Sequence, residues 1–161
     1  IDFKQGYQQS GAYDDLIEHL TFVTDYFMRA YDNGGTENDP SDDVFYVQVG
    51  NPYQWHNTYW GAPETAPEND PNLSRVALAA SASKPAGDIA GETAAALASA
   101  SMVLRADGQV ALADQLLEEA KQLFNFAEAY PEEFRDPLSD DSYRSYYAPH
   151  EPACGRACPP R

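Results

Sequence analysis

The stretch that most limits how this chain can fold is 88–104, DIAGETAAALASASMVL. Wound as a helix, its Ala, Ser and Gly residues leave almost no bulky polar face for water, while Ile89, Leu97, Val103 and Leu104 supply apolar contacts. A helix of this kind is surrounded by other helices, whose backbones its small side chains let in closely. Asp88 stands where an N-cap would accept the first free backbone N–H groups. Glu92 reads as an acid satisfied by a neighbouring helix end rather than as an active-site carboxylate, since the rest of the segment is packing surface.

Helices to surround it are present. Over 109–130, Ala113, Leu116, Leu117, Ala120, Leu123, Phe124, Ala127 and Tyr130 recur at steps of three and four, with Glu118, Glu119, Lys121 and Glu128 on the other side, and Pro131 stops the pattern. Over 14–31, Leu16, Leu20, Val23, Phe27 and Ala30 recur in the same way, with Asp15 and Glu18 placed as a cap and its reciprocal partner. Asn33-Gly34-Gly35 ends that helix, and the acidic run TENDPSDD follows as a loop. Asp39, Asp42 and Asp43 offer the clustered oxygens a calcium ion wants, but their spacing does not match an EF-hand loop and its central Gly is missing. The expectation is a solvated loop and no metal site.

Between the first and second of these helices the character changes. Residues 44–49 are β-branched and aromatic and predict a short extended segment. It leads into 46–64, YVQVGNPYQWHNTYWGAPE, where Tyr46, Tyr53, Trp55, His56, Tyr59 and Trp60 lie among the turn-formers Gly50, Asn51, Pro52, Gly61 and Pro63. Large rings interleaved with Asn51, Gln54, Asn57 and Glu64 suit a ligand with apolar C–H faces and a rim of hydroxyls, as a sugar has. The plainer reading of any single ring is that it staples a long loop onto the core; the cluster as a whole favours a ligand. Pro63, Pro67 and Pro71 then discourage regular structure, and Asn72-Leu73-Ser74 is a glycosylation sequon if the protein is secreted.

Charge narrows the ligand further. With 26 acidic and 10 basic residues among 161, the chain carries a formal charge of -16, which repels nucleic-acid backbones and anionic lipid but not a neutral polymer. The most apolar segment is interrupted by Asp88, Gly91, Glu92 and several Ser, so no membrane span is expected. The first ten residues, IDFKQGYQQS, lack both Met and the pattern of a secretion signal, and Ile1 is not expected to be the natural start. Cys154 and Cys158, at C-x-x-x-C spacing, match neither a zinc site nor a redox motif.

Three stretches together resemble the catalytic domain of glycoside hydrolase family 9, the cellulase and endoglucanase family. SGAYDDLIEHLTFVTDYFMRAY is similar to the family's S-G-x-x-D-x-x-x-x-x-x-x-x-T-D-Y-F helix. YVQVGN with YWGAPE is similar to its Q-V-G, D-H-x-x-W-G-x-P-E loop. AGDIAGETAAALASASMVL with AKQLFNFAEAY resembles its P-G-S-D-x-A-A-E-T-A-A-A-L-A-A-A-S helix and the A-K-x-L-Y-x-F-A helix that follows.

The resemblance implies an all-α fragment of a six-hairpin α/α toroid carrying a long aromatic loop. Residues 1–147 would be a partial catalytic domain and 148–161 an atypical Pro/Cys/Arg-rich tail. It implies a β-1,4-glucan as partner, an extracellular location, no cofactor, and cleavage with inversion by a carboxylic acid and a carboxylate on opposite faces of the bond. The family's base lies in a D-A-G-D motif and its acid is a Glu near the domain's C-terminus; this sequence holds neither segment, so no catalytic residue is assigned. For substrate binding the resemblance implies Trp60 in the cleft, His56 near the cleavage point and Tyr143, in SYRSYY, as a match to the family's active-site tyrosine. The family's His precedes the Trp by three residues; here Asn57 takes that place and His56 precedes Trp60 by four. The alternative is a non-catalytic carbohydrate-binding or structural remnant of the same fold. A third reading is an unrelated helical domain that docks a partner on its Ala-rich helix.

Overall fold

The computed structural model describes residues 4–36, 38–50, 59–65 and 75–134. They divide between two compact units. The first holds, in chain order, α1 (Lys4–Ser10), α2 (Tyr13–Ala30), β1 (Tyr31–Asp32), β2 (Val44–Val49), β3 (Ala77–Ala80), α3 (Gly87–Ala106) and α4 (Val110–Ala129).

The alanine-rich segment does what its side chains dictate. α3 and α4 form a tight antiparallel hairpin in which Ala90, Ala94, Ala100, Ala113 and Ala120 are all buried. The backbones come so near that a methyl group built on Gly91 would lie 3.9 Å from the Cβ of Ala127. Leu97, Leu104, Leu116, Leu123 and Phe126 are the largest fully buried side chains, each stabilising the fold by about 2 kcal/mol through burial. The turn between the helices is closed by the Gln109 N–H donating to the Leu104 carbonyl at 2.9 Å, across Gly108 at φ 96°.

α2 and α3 start differently from the expectation. α2 begins at Tyr13 behind Ala12, with no side-chain cap, and Asp15 lies inside its first turn beside Asp14. The preceding turn decides this: the Ala12 N–H donates to the Tyr7 carbonyl at 3.0 Å, closing α1 and fixing where the next helix starts. The acidic pair then favours the N-terminus through the helix dipole. α3 likewise starts behind Ala86 with no side-chain cap. Asp88 is exposed, and its Oδ1 accepts the Phe134 N–H at 3.0 Å, 46 residues away. Beside it the Gly87 N–H donates to the Glu132 carbonyl at 2.9 Å. A Cβ on Gly87 would lie 2.5 Å from the Tyr130 carbonyl oxygen and 2.8 Å from the Cα of Pro131, so no larger residue fits this crossing.

The extended segment 44–49 appears as β2, the centre of a three-stranded antiparallel sheet in the order β1-β2-β3. Tyr31 faces Phe45 and Asp32 faces Val44; on the other side Phe45 pairs with Ala80 and Tyr46 with Ala79 before the register shifts, so that Gln48 pairs with Leu78. Phe45 is buried, and its ring meets that of Tyr31 edge-on at 6.4 Å. This small sheet is an addition to a chain read as all-α, and the described residues remain mostly helical.

α3 is not enclosed on all sides within this chain. Glu92, Ala95, Ala96 and Ser99 are exposed, Met102 is 70 % exposed, and on α2 Phe22 and Tyr26 are 75 % and 59 % exposed. Glu92 therefore meets solvent rather than a neighbouring helix end. Among the described residues no helix is long and apolar enough to cross a membrane.

Inside the unit, Glu119 of α4 sits half-buried with its Oε1 out of reach of water and of any hydrogen-bond partner. Loss of hydration pushes its carboxyl up to about 7. With a folded value above the ordinary 4.5, the folded chain holds the proton more tightly, so this contribution to stability is full below pH 4.5 and is lost as pH rises through about 7. After discounting for its partial contact with solvent the effect is about 1 kcal/mol. Glu119→Gln is therefore expected to raise the unfolding midpoint at pH 8 by about 3 °C and to flatten the midpoint's dependence on pH between 5 and 8. Thermal scans across that range check it, and an unchanged slope would count against a buried acid here.

Candidate functional site

Tyr59 to Thr65 is the part of the aromatic loop that the structure describes in detail, and it lies in the second unit. Its sequence, YWGAPET, locks on itself. The Tyr59 hydroxyl and the Thr65 Oγ1 pair with each other and each lies 2.9 Å from the Ala62 carbonyl, so one of the two hydroxyls donates to that carbonyl and the other to its neighbour, while the Thr65 backbone N–H donates to the same carbonyl at 2.9 Å. Pro63–Thr65 forms one turn of 3-10 helix, a geometry to which proline's fixed φ is suited.

Glycine between Trp60 and Ala62 lets the Tyr59 phenol take this place: a Cβ on Gly61 would meet the Tyr59 hydroxyl and lie 2.6 Å from its ring carbon Cζ, so a larger residue would push that side chain aside. The phenol folds back across Gly61, and the neighbouring indole is left outside this knot: Trp60 is 86 % exposed. Exposing an indole gives up the burial that usually stabilises so large an apolar ring. Glu64, also exposed, adds a carboxylate on the same turn.

Of the three residues expected to touch substrate, Trp60 is thus held on a fixed turn, while His56 and Tyr143 lie outside the described residues. So do Tyr53, Trp55, the sequon at Asn72, and both cysteines. Tyr46 stands exposed on β2. The roles of Tyr59, Gly61 and Thr65 as the clamp behind Trp60 were not anticipated from sequence. The spacing of Tyr59 and Thr65 about Ala62 is the signal that carries them.

The family model of glycosyl hydrolase family 9 matches residues 1–152. The chain belongs to glycosyl hydrolase family 9. It is 37% identical over 147 residues to endoglucanase B of Cellulomonas fimi, covering 91% of this chain and 12% of that protein. It is 36% identical over 137 residues to endoglucanase 24 of Oryza sativa subsp. japonica, covering 83% of this chain and 22% of that one. Among solved structures, an endoglucanase from the termite Nasutitermes takasagoensis superposes with a TM-score of 0.70 at 38% identity, covering 91% of this chain and 30% of that chain. The cellulase Cel9M of C. cellulolyticum, in complex with cellobiose, superposes with a TM-score of 0.66 at 29% identity, covering 86% and 29%.

This family 9 chain therefore spans between about one eighth and one third of the length of these relatives. Its helices are a fragment of the family's α/α toroid, as the resemblance implied. The bare faces of α2 and α3 follow from that fact, since the helices of a toroid cover one another in the whole ring.

Proposed function

We propose that this chain is a portion of an endo-β-1,4-glucanase catalytic domain and supplies part of the wall of its glucan cleft. The observation that carries the reading is Trp60, 86 % exposed beside the Tyr59–Ala62–Thr65 knot, where an aromatic face can meet a sugar. His56 and Tyr143 would take sugar hydroxyls beside it. A chain of formal charge -16 suits a neutral polysaccharide and disfavours nucleic acid or an anionic membrane. The work is extracellular, where an insoluble glucan is met. Residues 1–147 would belong to the catalytic domain and 148–161 would lie outside it.

Inverting hydrolysis requires two carboxyl groups about 6.5–9.5 Å apart, one to protonate the leaving oxygen and one to activate water on the far face. In family 9 the base belongs to the D-A-G-D motif, which this sequence does not contain. The isolated chain is accordingly expected to leave carboxymethyl-cellulose intact while cello-oligosaccharides quench its tryptophan fluorescence. Release of reducing ends by pure material would overturn the assignment of catalysis to other segments. An absence of quenching would instead remove the cleft. The second reading is a non-catalytic remnant of the fold that still binds glucan. A domain carrying D-A-G-D and the distal Glu on the same polypeptide decides between the two.

A further inference from the structure

We propose that Asn33, in the turn that follows β1, is a site of deamidation, and that its conversion to aspartate or isoaspartate weakens the hold of the acidic loop on α4. The proposal is independent of the glucan reading. Asn33 is the one asparagine in the sequence that glycine follows; the others precede Asp, Pro, Thr, Leu or Phe. A glycine nitrogen has no side chain beside it to hinder its approach to the neighbouring carboxamide.

The turn brings the reacting groups together. Gly34 and Gly35 stand at φ 61° and 86°, and the Thr36 N–H donates to the Asn33 carbonyl at 2.9 Å, closing a tight turn of the primed kind. Within it the Gly35 N–H donates to the Asn33 Oδ1 at 3.1 Å. This Asx turn folds the carboxamide back over Gly34, which brings its Cγ alongside the Gly34 nitrogen and polarises its carbonyl. Both glycines are exposed, so water and hydroxide reach them.

The step balances with water as the only co-reactant. Hydroxide takes the proton of the Gly34 N–H, which in the structure donates to the Asp32 Oδ1 at 3.1 Å. The Gly34 nitrogen bonds to the Asn33 Cγ, the Cγ–Nδ2 bond breaks, and Nδ2 leaves as ammonia after taking a proton from water. A second water opens the cyclic imide, adding at Cγ to give aspartate or at the backbone carbonyl to give isoaspartate.

What Asn33 holds gives the reaction its consequence. Because its Oδ1 accepts the Gly35 N–H, its Nδ2 faces α4, where it donates to the Gln122 Oε1 at 3.1 Å across 89 residues of sequence. Aspartate puts an acceptor in place of that donor. To bond again Gln122 must turn its amide over, and the tie then depends on a new charge in a loop that already carries Asp32, Asp39, Asp42 and Asp43. The Asp42 carboxyl is near: its Cγ lies 2.5 Å from where a Cβ on Gly34 would stand. Isoaspartate adds one carbon to the backbone and so also breaks the turn from Asn33 to Thr36.

Ageing of the full chain at about pH 8.5 and about 37 °C for about two weeks tests this, read by peptide mass spectrometry and thermal unfolding. The peptide that spans Asn33 is expected to gain about 1 Da ahead of every other asparagine peptide and to resolve into two products. The unfolding midpoint should fall in step with conversion, by about 3 °C when it is complete. Asn33→Gln, whose longer side chain forms the imide poorly, should keep its midpoint through the same treatment. Gln122→Ala, which lacks the tie from the start, should convert at Asn33 yet lose less on ageing than the parent. Conversion of another asparagine first, an aged chain converted at Asn33 with the midpoint of fresh material, or an equal loss in Gln122→Ala overturns the proposal.

Discussion

Changing Gly87 to alanine is expected to destabilise the folded chain by about 3 kcal/mol, read as a fall of about 9 °C in its unfolding midpoint. The added methyl would meet backbone on two sides, the Tyr130 carbonyl oxygen at 2.5 Å and the Pro131 Cα at 2.8 Å, and backbone cannot rotate out of the way. Relief would require moving the strap after α4, which breaks the Gly87 N–H to Glu132 bond and the Asp88 to Phe134 bond together. Gly91→Ala supplies the comparison within the same helix. Its methyl meets only the Ala127 Cβ at 3.9 Å, an ordinary contact, so helix propensity should stabilise the chain by roughly 0.5–1 kcal/mol. Chemical denaturation of the two variants side by side would separate a steric crossing from a general preference for glycine. Equal midpoints would mean that the crossing is looser than the structure shows.

Replacing Trp60 by alanine is expected to weaken cello-oligosaccharide binding about 30-fold, near 2 kcal/mol, because a central aromatic anchor carries a large share of binding energy. The midpoint of unfolding should stay within about 1 °C, since a ring 86 % exposed contributes little packing. Gly61→Ala probes the clamp rather than the ring. It leaves the indole in place but drives the Tyr59 hydroxyl off the Ala62 carbonyl, and affinity should fall while tryptophan content is unchanged. If Trp60→Ala binds glucan as tightly as the parent and unfolds several degrees earlier, the ring is a staple for the loop and the cleft reading is lost.

Periodicity located α2, α3 and α4 to within a residue or two at each end, and β-branched content marked β2 at its observed bounds. Those signals are local. α1 escaped notice because KQGYQQS has no apolar repeat of its own, and β3 because ALAA carries no β-branched or aromatic residue. Its strand geometry comes from pairing with β2, a tertiary demand that overrides propensity. The helix starts were misassigned for a related reason. Asp15 and Asp88 are good capping residues, yet the turn before α2 and the strap after α4 decide where those helices begin. At the site, the W-G-x-P-E match singled out Trp60, but its exposure depends on how Tyr59 and Thr65 close on Ala62. The burial of Asp43 was the least legible feature. An acidic run reads as solvated, and only the return of α4 with Gln122 and Asn125, some eighty residues on, covers it.

The bonds from Gly87 and Asp88 to Glu132 and Phe134 also bear on the order in which the chain acquires its structure. They tie the two ends of the α3–α4 hairpin to each other, so the pair closes using contacts confined to one continuous stretch. Short-range contacts form quickly because little loop entropy is lost before they are made. The β2–β3 pairs span 28 to 35 residues and the tie across the hairpin's ends spans 45. A polypeptide emerging N-terminus first therefore has the partners of the sheet free before Phe134 appears, and the hairpin's ends are the last of these contacts to become available.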